Sequence, residues 1–190
     1  MQATAKTLRL VTAEPPGHES ELETLFRDHH DRVFRTAHRI TGSPADAEDV
    51  LQTVFLRLVK GQAEYDLSQN PAAYLSRAAI NASLDLMRSR SRVRLVEPGV
   101  ELEGIESRWQ NPEAEHADRE LQALIRQAVA GLGKTAGEMF VLRYYEGYDN
   151  QEIAKMLDTS QMVVGVVLHR ARTRLRKEIG HFLEKHHEKQ

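Results

Sequence analysis

YDNQEIAKMLDTSQMVVGVVLHRARTRLRK, residues 148–177, reads as two helices joined by a tight turn. Ile153, Ala154 and Leu157 recur at helical spacing in its first part. Val164, Leu168, Ala171, Leu175 and, just beyond the stretch, Ile179 do so in its second. Each run puts its apolar residues on one stripe of a helix, and such a stripe has to be buried. Between the runs stands Asp158-Thr159-Ser160. Asp tolerates left-handed backbone, and Thr or Ser caps a following helix by accepting its free N–H groups. This is the layout of a helix-turn-helix, whose second helix enters the DNA major groove.

A basic run follows. Arg170, Arg172, Arg174, Arg176 and Lys177 place five cations within eight residues. At about 100° per residue, Arg170, Arg174 and Lys177 share one flank of the helix, and Arg172 and Arg176 another. Neither flank coincides with the Leu168 and Leu175 stripe, so both stay solvated and within reach of phosphates. Arg88, Arg90, Arg92 and Arg94 form a second tract, and Glu97, Glu101, Glu103 and Glu106 gather between the two. The net charge is only −2, so distribution carries the signal rather than the sum. Two basic patches separated by an acidic connector suit two contacts with one polyanion.

At 190 residues, 41% of them hydrophobic, the chain suits one or two small domains with packed cores. It has no cysteine, which excludes disulfides, thiolate metal sites and cysteine nucleophiles. No apolar run approaches the roughly 20 residues of a membrane helix. The first residues, MQATAKTLRLVTAEPPGHES, lack the apolar core of a signal peptide. A cytoplasmic protein without membrane insertion is expected. Nine histidines raise the question of a metal site. His29 and His30 are adjacent on a helix and so diverge, while His181, His186 and His187 stand in a charged tail without an arranged carboxylate set. No metal and no cofactor are expected, and no nucleophile–base pairing or phosphate-cradling glycine loop points to an enzyme.

From the N-terminus, residues 1–18 read as a flexible tail broken by Pro15-Pro16-Gly17. Leu22, Leu25, Phe26, Val33, Ala37 and Ile40 then mark one helix face, ended by Thr41-Gly42-Ser43-Pro44. Ala47, Val50, Leu51, Val54, Phe55 and Leu58 form the stripe of a second helix, with Asp46, Glu48 and Asp49 suited to its N-terminal dipole. Residues 61–70 read as a loop, and Pro71 opens a third helix that ends in the first basic tract. The acidic stretch 95–112 has no sustained periodicity and reads as a linker. Residues 113–190 form the second helical unit, through Leu121, Leu124, Ile125, Ala128 and Val129 to the helix-turn-helix. The expected fold is all-α: two small helical domains, 19–94 and 113–190, joined by a flexible connector.

Three segments in register carry a family resemblance. DAEDVLQTVF at 46–55, Tyr74-Leu75-Ser76-Arg77-Ala78-Ala79-Ile80-Asn81 with Asp85 and Arg88, and LHRARTRLRK at 168–177 are similar to the motifs of bacterial sigma factors of the extracytoplasmic-function class. The resemblance covers about residues 20–94 and 113–180. It implies a region 2-like domain that docks on core RNA polymerase, at the clamp of its largest subunit, and captures bases of a melted minus-ten element. It also implies a region 4-like domain, near the flap of the second-largest subunit, that holds the minus-thirty-five duplex. Control by an anti-sigma factor is implied as well, and the acidic linker would run toward the RNA exit path.

The residues fit these roles on their own chemistry. Asp49, Gln52, Thr53 and Leu56 project away from the buried stripe of the second helix, which makes them the expected polymerase-binding face. Tyr74 offers a ring on which an unstacked base can rest, and Arg77 and Asn81, one turn apart, offer groups for phosphate and base edge. With Arg88 and Arg90 they form the expected minus-ten contacts, while Asp85 is read as orienting a neighbouring Arg. For the minus-thirty-five element the expected set is Ser160, Gln161, Val163, Val167, His169, Arg170, Arg174 and Lys177. Here the chain departs from the family, whose recognition helices carry small and polar residues where 162–167 reads MVVGVV. Readout there is expected to be largely apolar, valine methyls against thymine methyls, unless an inhibitory partner covers the patch. Two other readings suit the same residues: a stand-alone helix-turn-helix regulator on a palindromic site, and a sigma-like protein-interaction module.

Overall fold

The computed structural model describes residues 21–60, 70–96 and 112–187. The tail, nearly all of the loop before Pro71 and most of the acidic linker lie outside them. Among the described residues there are seven α-helices and no strand, which makes the fold all-α as expected. They are α1 Glu21–Thr41, α2 Pro44–Val59, α3 Pro71–Val96, α4 Pro112–Gly131, α5 Lys134–Tyr144, α6 Asn150–Met156 and α7 Gln161–His187.

Local chemistry sets the joints. Gly42, at φ 72°, ends α1, and its N–H bonds the His38 carbonyl. That left-handed turn would strain any residue with a Cβ. Ser43 then caps α2 by accepting from the Asp46 N–H, with Pro44 in the first turn. Asn70 caps α3 through the Ala73 N–H. Asp149 and Glu152 cap α6 reciprocally, each side chain accepting from the other's N–H at 2.8 and 2.7 Å. The turn after α6 is the one the sequence indicates. Asp158 sits at φ 48°, and the Thr159 N–H returns to the Ala154 carbonyl at 2.9 Å, the closing bond of a Schellman turn. Ser160 accepts from the Val163 N–H and starts α7.

Two apolar clusters hold these helices. The first joins α1, α2 and α3 through Val33, Ala37, Val50, Val54, Phe55, Leu75 and Ala79. The second gathers Val129, Met139, Leu142, Ile153, Val164, Leu168 and Leu175 from α4 to α7, and it also takes in Ile40, Ile80 and Leu84 from the first three helices. Along the seam between them, the two helical halves share this core. Gly137 marks one close approach: a Cβ there would come within 3.1 Å of Leu84 Cδ1. Phe26, expected on the buried face of α1, is exposed and lies edge-on to Phe55 with ring centroids 4.8 Å apart.

Gly165 lies inside α7 with space around it, since a Cβ there would meet only Asn150 Nδ2 at 3.9 Å. Gly165→Ala is expected to raise stability by about 0.5–1 kcal/mol, because glycine loses more backbone freedom in a helix interior. Thermal unfolding followed by circular dichroism measures it, and a lowered midpoint would contradict this account.

Candidate nucleic-acid interface

The N-terminal turns of α7 present the candidate duplex-reading surface. Val164, Leu168, Ala171 and Leu175 bury one stripe, which turns Gln161, Met162, Val163, Val166, His169 and Arg170 outward. Met162 is 79% exposed, and Val163 and Val166 nearly half, so these turns carry an exposed apolar patch beside Gln161, His169 and Arg170. Val167, expected beside Val163, is half-buried against the second cluster, and Val166 stands exposed in its stead. Helical phase explains the exchange: 167 follows the buried 164 by one turn, whereas 166 and 163 share the opposite side. Ser160 is spent on capping. Arg170 and Lys177 are exposed, while Arg174 donates to Glu178 at 2.8 Å on the solvent side.

The α3 residues are engaged within the chain. Arg77 donates from Nε to Glu138 Oε1 and from Nη1 to the Met156 carbonyl, both at 2.8 Å. Its neighbour Asn81 buries an Oδ1 that has no hydrogen-bond partner among the described residues. Arg88 donates from Nε to the Leu84 carbonyl at 3.2 Å, and its Nη2 lies 3.5 Å from the Asp85 carboxylate. Arg90 forms a two-pronged pair with Asp46, whose carboxylate is buried at the start of α2. Tyr74 is half-buried against the first cluster.

On α2, by contrast, Asp49, Gln52, Thr53 and Leu56 are all exposed, with Val50 and Val54 holding the opposite face to the core. Val59, at 62% exposure, extends this apolar-tipped surface. It escaped the sequence reading because its position one residue past Leu58 breaks the stripe. Arg39, Arg90, Arg119 and Arg126 line a cleft of about 790 Å³ between the α1–α2 turn and α4. Burial raises the pKa of the nearby Tyr145 hydroxyl, and the positive charge of Arg126 works against that rise.

Known proteins resemble this arrangement. The family model for Sigma-70 region 2 matches residues 25–93, and that for Sigma-70, region 4 matches residues 122–175. These are a two-region class of promoter-selecting proteins, one region on α1–α3 and the other on α4–α7. The RNA polymerase sigma-E factor of Streptomyces coelicolor is 32% identical over 163 residues, covering 86% of this chain and 88% of its own length. The ECF RNA polymerase sigma factor SigE of Mycolicibacterium smegmatis is 31% identical over 164 residues, and the match spans 62% of that protein's length. The chain belongs to the extracytoplasmic-function family of RNA polymerase sigma factors. Among solved structures, the sigma factor RpoE in complex with the anti-sigma factor NepR from Bartonella quintana aligns with a TM-score of 0.51 at 17% identity. That alignment covers 85% of this chain and 98% of the other, and the likeness is one of fold.

Proposed function

We propose that this chain docks on core RNA polymerase through α2 and directs initiation at promoters held at two points. The α3 face with Tyr74, Arg77, Asn81, Arg88 and Arg90 takes the minus-ten element, and the α7 N-terminus takes the minus-thirty-five element. The domains in this reading are 19–94 and 113–190. The chain acts by binding, in the cytoplasm, with no covalent step of its own. The observation that carries the reading is the α2 face: Asp49, Gln52, Thr53 and Leu56 stand together in solvent on a helix whose other side is fixed in the core. Neither rival, the stand-alone regulator or the interaction module, gives that face a polymerase to meet.

The test is reconstituted transcription with core polymerase on genomic fragments, with and without the chain. Promoter-specific transcripts that depend on the chain are expected, and their complete absence would sink the reading. Asp49→Ala with Gln52→Ala is expected to weaken core binding at least about tenfold, the loss of one or two interfacial hydrogen bonds. Since both side chains are exposed, the melting temperature should stay within about 2 °C of the parent. Unchanged core affinity would move the docking face elsewhere.

A specific observation favours a third partner. Met162, Val163 and Val166 form an exposed apolar surface on a helix otherwise rich in cations. Such a surface suits cover by an anti-sigma factor when the chain is off DNA.

A further inference from the structure

Apart from Arg90, the cleft between the α1–α2 turn and α4 has no part in the promoter reading, and positive charge gathers in it. Arg39 reaches it from α1, Arg90 from α3, and Arg119 and Arg126 from α4. The last two stand seven residues apart, close to two helical turns, so they share a face with Gln122 and Ala123 between them. Against four guanidiniums the lining holds one carboxylate, that of Asp46, which is buried and already gripped by Arg90. Arg39 is tied to Glu146 and to the Tyr145 carbonyl. Arg126 differs from both. Among the described residues it makes no hydrogen bond and no ion pair. It is nevertheless held in place, half-buried, with its guanidinium over Gly42, where a Cβ would fall 2.6 Å from Cζ and 2.8 Å from Nε. The missing side chain of Gly42 thus leaves room for a cation as well as for the turn.

We propose that this cleft is a binding site for a nucleoside diphosphate, whose phosphates Arg119 and Arg126 hold within the field of Arg39 and Arg90. A guanidinium presents paired N–H donors that match two phosphate oxygens, and like charges crowded into one cleft repel until an anion joins them. The N-terminus of α2 adds to the field, since Pro44 and Ala45 line the cleft and the positive end of the helix dipole lies there. Size speaks for more than phosphate. The volume of about 790 Å³ is that of a small-molecule site, which a single phosphate ion would leave mostly empty. The rest of the lining suits a nucleoside: Met87, Pro44 and Ala123 offer apolar surface to the face of a base, and Ser91, Gln122 and Gln127 offer hydroxyl and amide groups to its edge or to the sugar. The four cations also converge on one cavity from three helices, whereas those of α7 follow one another along a surface. Convergence fits a compact polyanion better than a nucleic-acid strand. Arg119 and Arg126 belong to neither the polymerase set nor the DNA sets, so the inference stands apart from the promoter reading.

The test is isothermal titration of the full chain with ADP, GDP, CDP and UDP, and separately with pyrophosphate and orthophosphate, at about 150 mM salt to screen loose ion pairing. At least one of the four nucleotides is expected to bind at one site per chain, about tenfold or more tighter than pyrophosphate or orthophosphate. The same nucleotide should raise the thermal midpoint, because it binds only the folded chain. Arg119→Gln with Arg126→Gln is expected to weaken it at least about tenfold, through the loss of charge-assisted hydrogen bonds. Arg119 is exposed and Arg126 half-buried, and helicity by circular dichroism equal to the parent shows that this variant folds. A control with Arg35→Gln and Arg57→Gln removes two exposed cations that do not line the cleft, and should stay within about twofold of the parent. No binding of any of the four nucleotides, or an equal loss in the control, would overturn the site. Pyrophosphate binding as tightly as the best nucleotide would overturn the nucleoside part of the assignment. Mixed-sequence duplex DNA is the last arm. If the Arg119 and Arg126 variant lost affinity for it by the same factor as for the nucleotide, the cleft would be a track for nucleic acid and the proposal would fall.

Discussion

Leu84→Ala is expected to lower the unfolding free energy by about 2–5 kcal/mol, the range for truncating a fully buried leucine. The side chain has no solvent exposure and lies in the cluster that joins Ile40 and Ile80 to α4–α7. Across the seam it meets Gly137, which has no side chain to move and which also lies close to the Val129 carbonyl, so backbone forms part of the wall. Backbone cannot collapse into a void as a flexible side chain can, which puts the expected loss in the upper half of that range. The effect should reach both halves, because the same side chain packs against both. Val54→Ala, in the cluster of α1–α3, is the comparison: it should weaken the first half without loosening the seam. Urea unfolding followed by circular dichroism measures the loss. A change below about 1 kcal/mol would mean that the halves do not share a core.

Arg90→Ala is expected to cost about 2–3 kcal/mol, and Asp46→Ala distinctly less. The pair is asymmetric: the Asp46 side chain is 4% exposed and that of Arg90 is 36%. Removing the arginine strands a buried carboxylate, which in a dry site costs about 3–5 kcal/mol. The solvent already around Arg90 screens part of that, hence the smaller figure. Removing the aspartate leaves a cation that can swing into water on its long stem. The double substitution should recover part of the loss, because no charge is then left buried alone. Thermal midpoints of the two single variants and the double give the comparison. Equal losses from both singles would show that burial does not govern the pair. The result also bears on function. Loss of transcription in Arg90→Ala reads as loss of a DNA contact only if the double variant, refolded, is still inactive.

The polar face of α2 was legible because exposure there follows from helical phase alone: Val50 and Val54 fix the inside, and Asp49, Gln52, Thr53 and Leu56 follow outside. The helix-turn-helix was legible for a similar reason. Asp158 and Ser160 announce a left-handed turn and a cap in local chemistry, and both are used that way. Periodicity was less informative where two surfaces compete for one side chain. Val167 and Val166 differ by a single step of phase, and the packing of α7 on the core turned the first inward and the second outward. Asp46, read from the sequence as a favourable charge at a helix start, is also the buried partner of Arg90, 44 residues away. No local pattern encodes such a distant pairing.

By itself, the sequence determined the all-α class, the helix stops at Gly42 and Asp158, the two basic tracts and the family. All of these arise from interactions within a few residues or from motifs read in order. Tertiary structure alone decided that the halves close on each other, with Arg77 on Glu138 and Leu84 against Gly137. That outcome depends on the complementarity of surfaces far apart in the chain. The same arginine chemistry serves a carboxylate or a phosphate equally well, so its partner in the free chain is set by which surface the fold brings near.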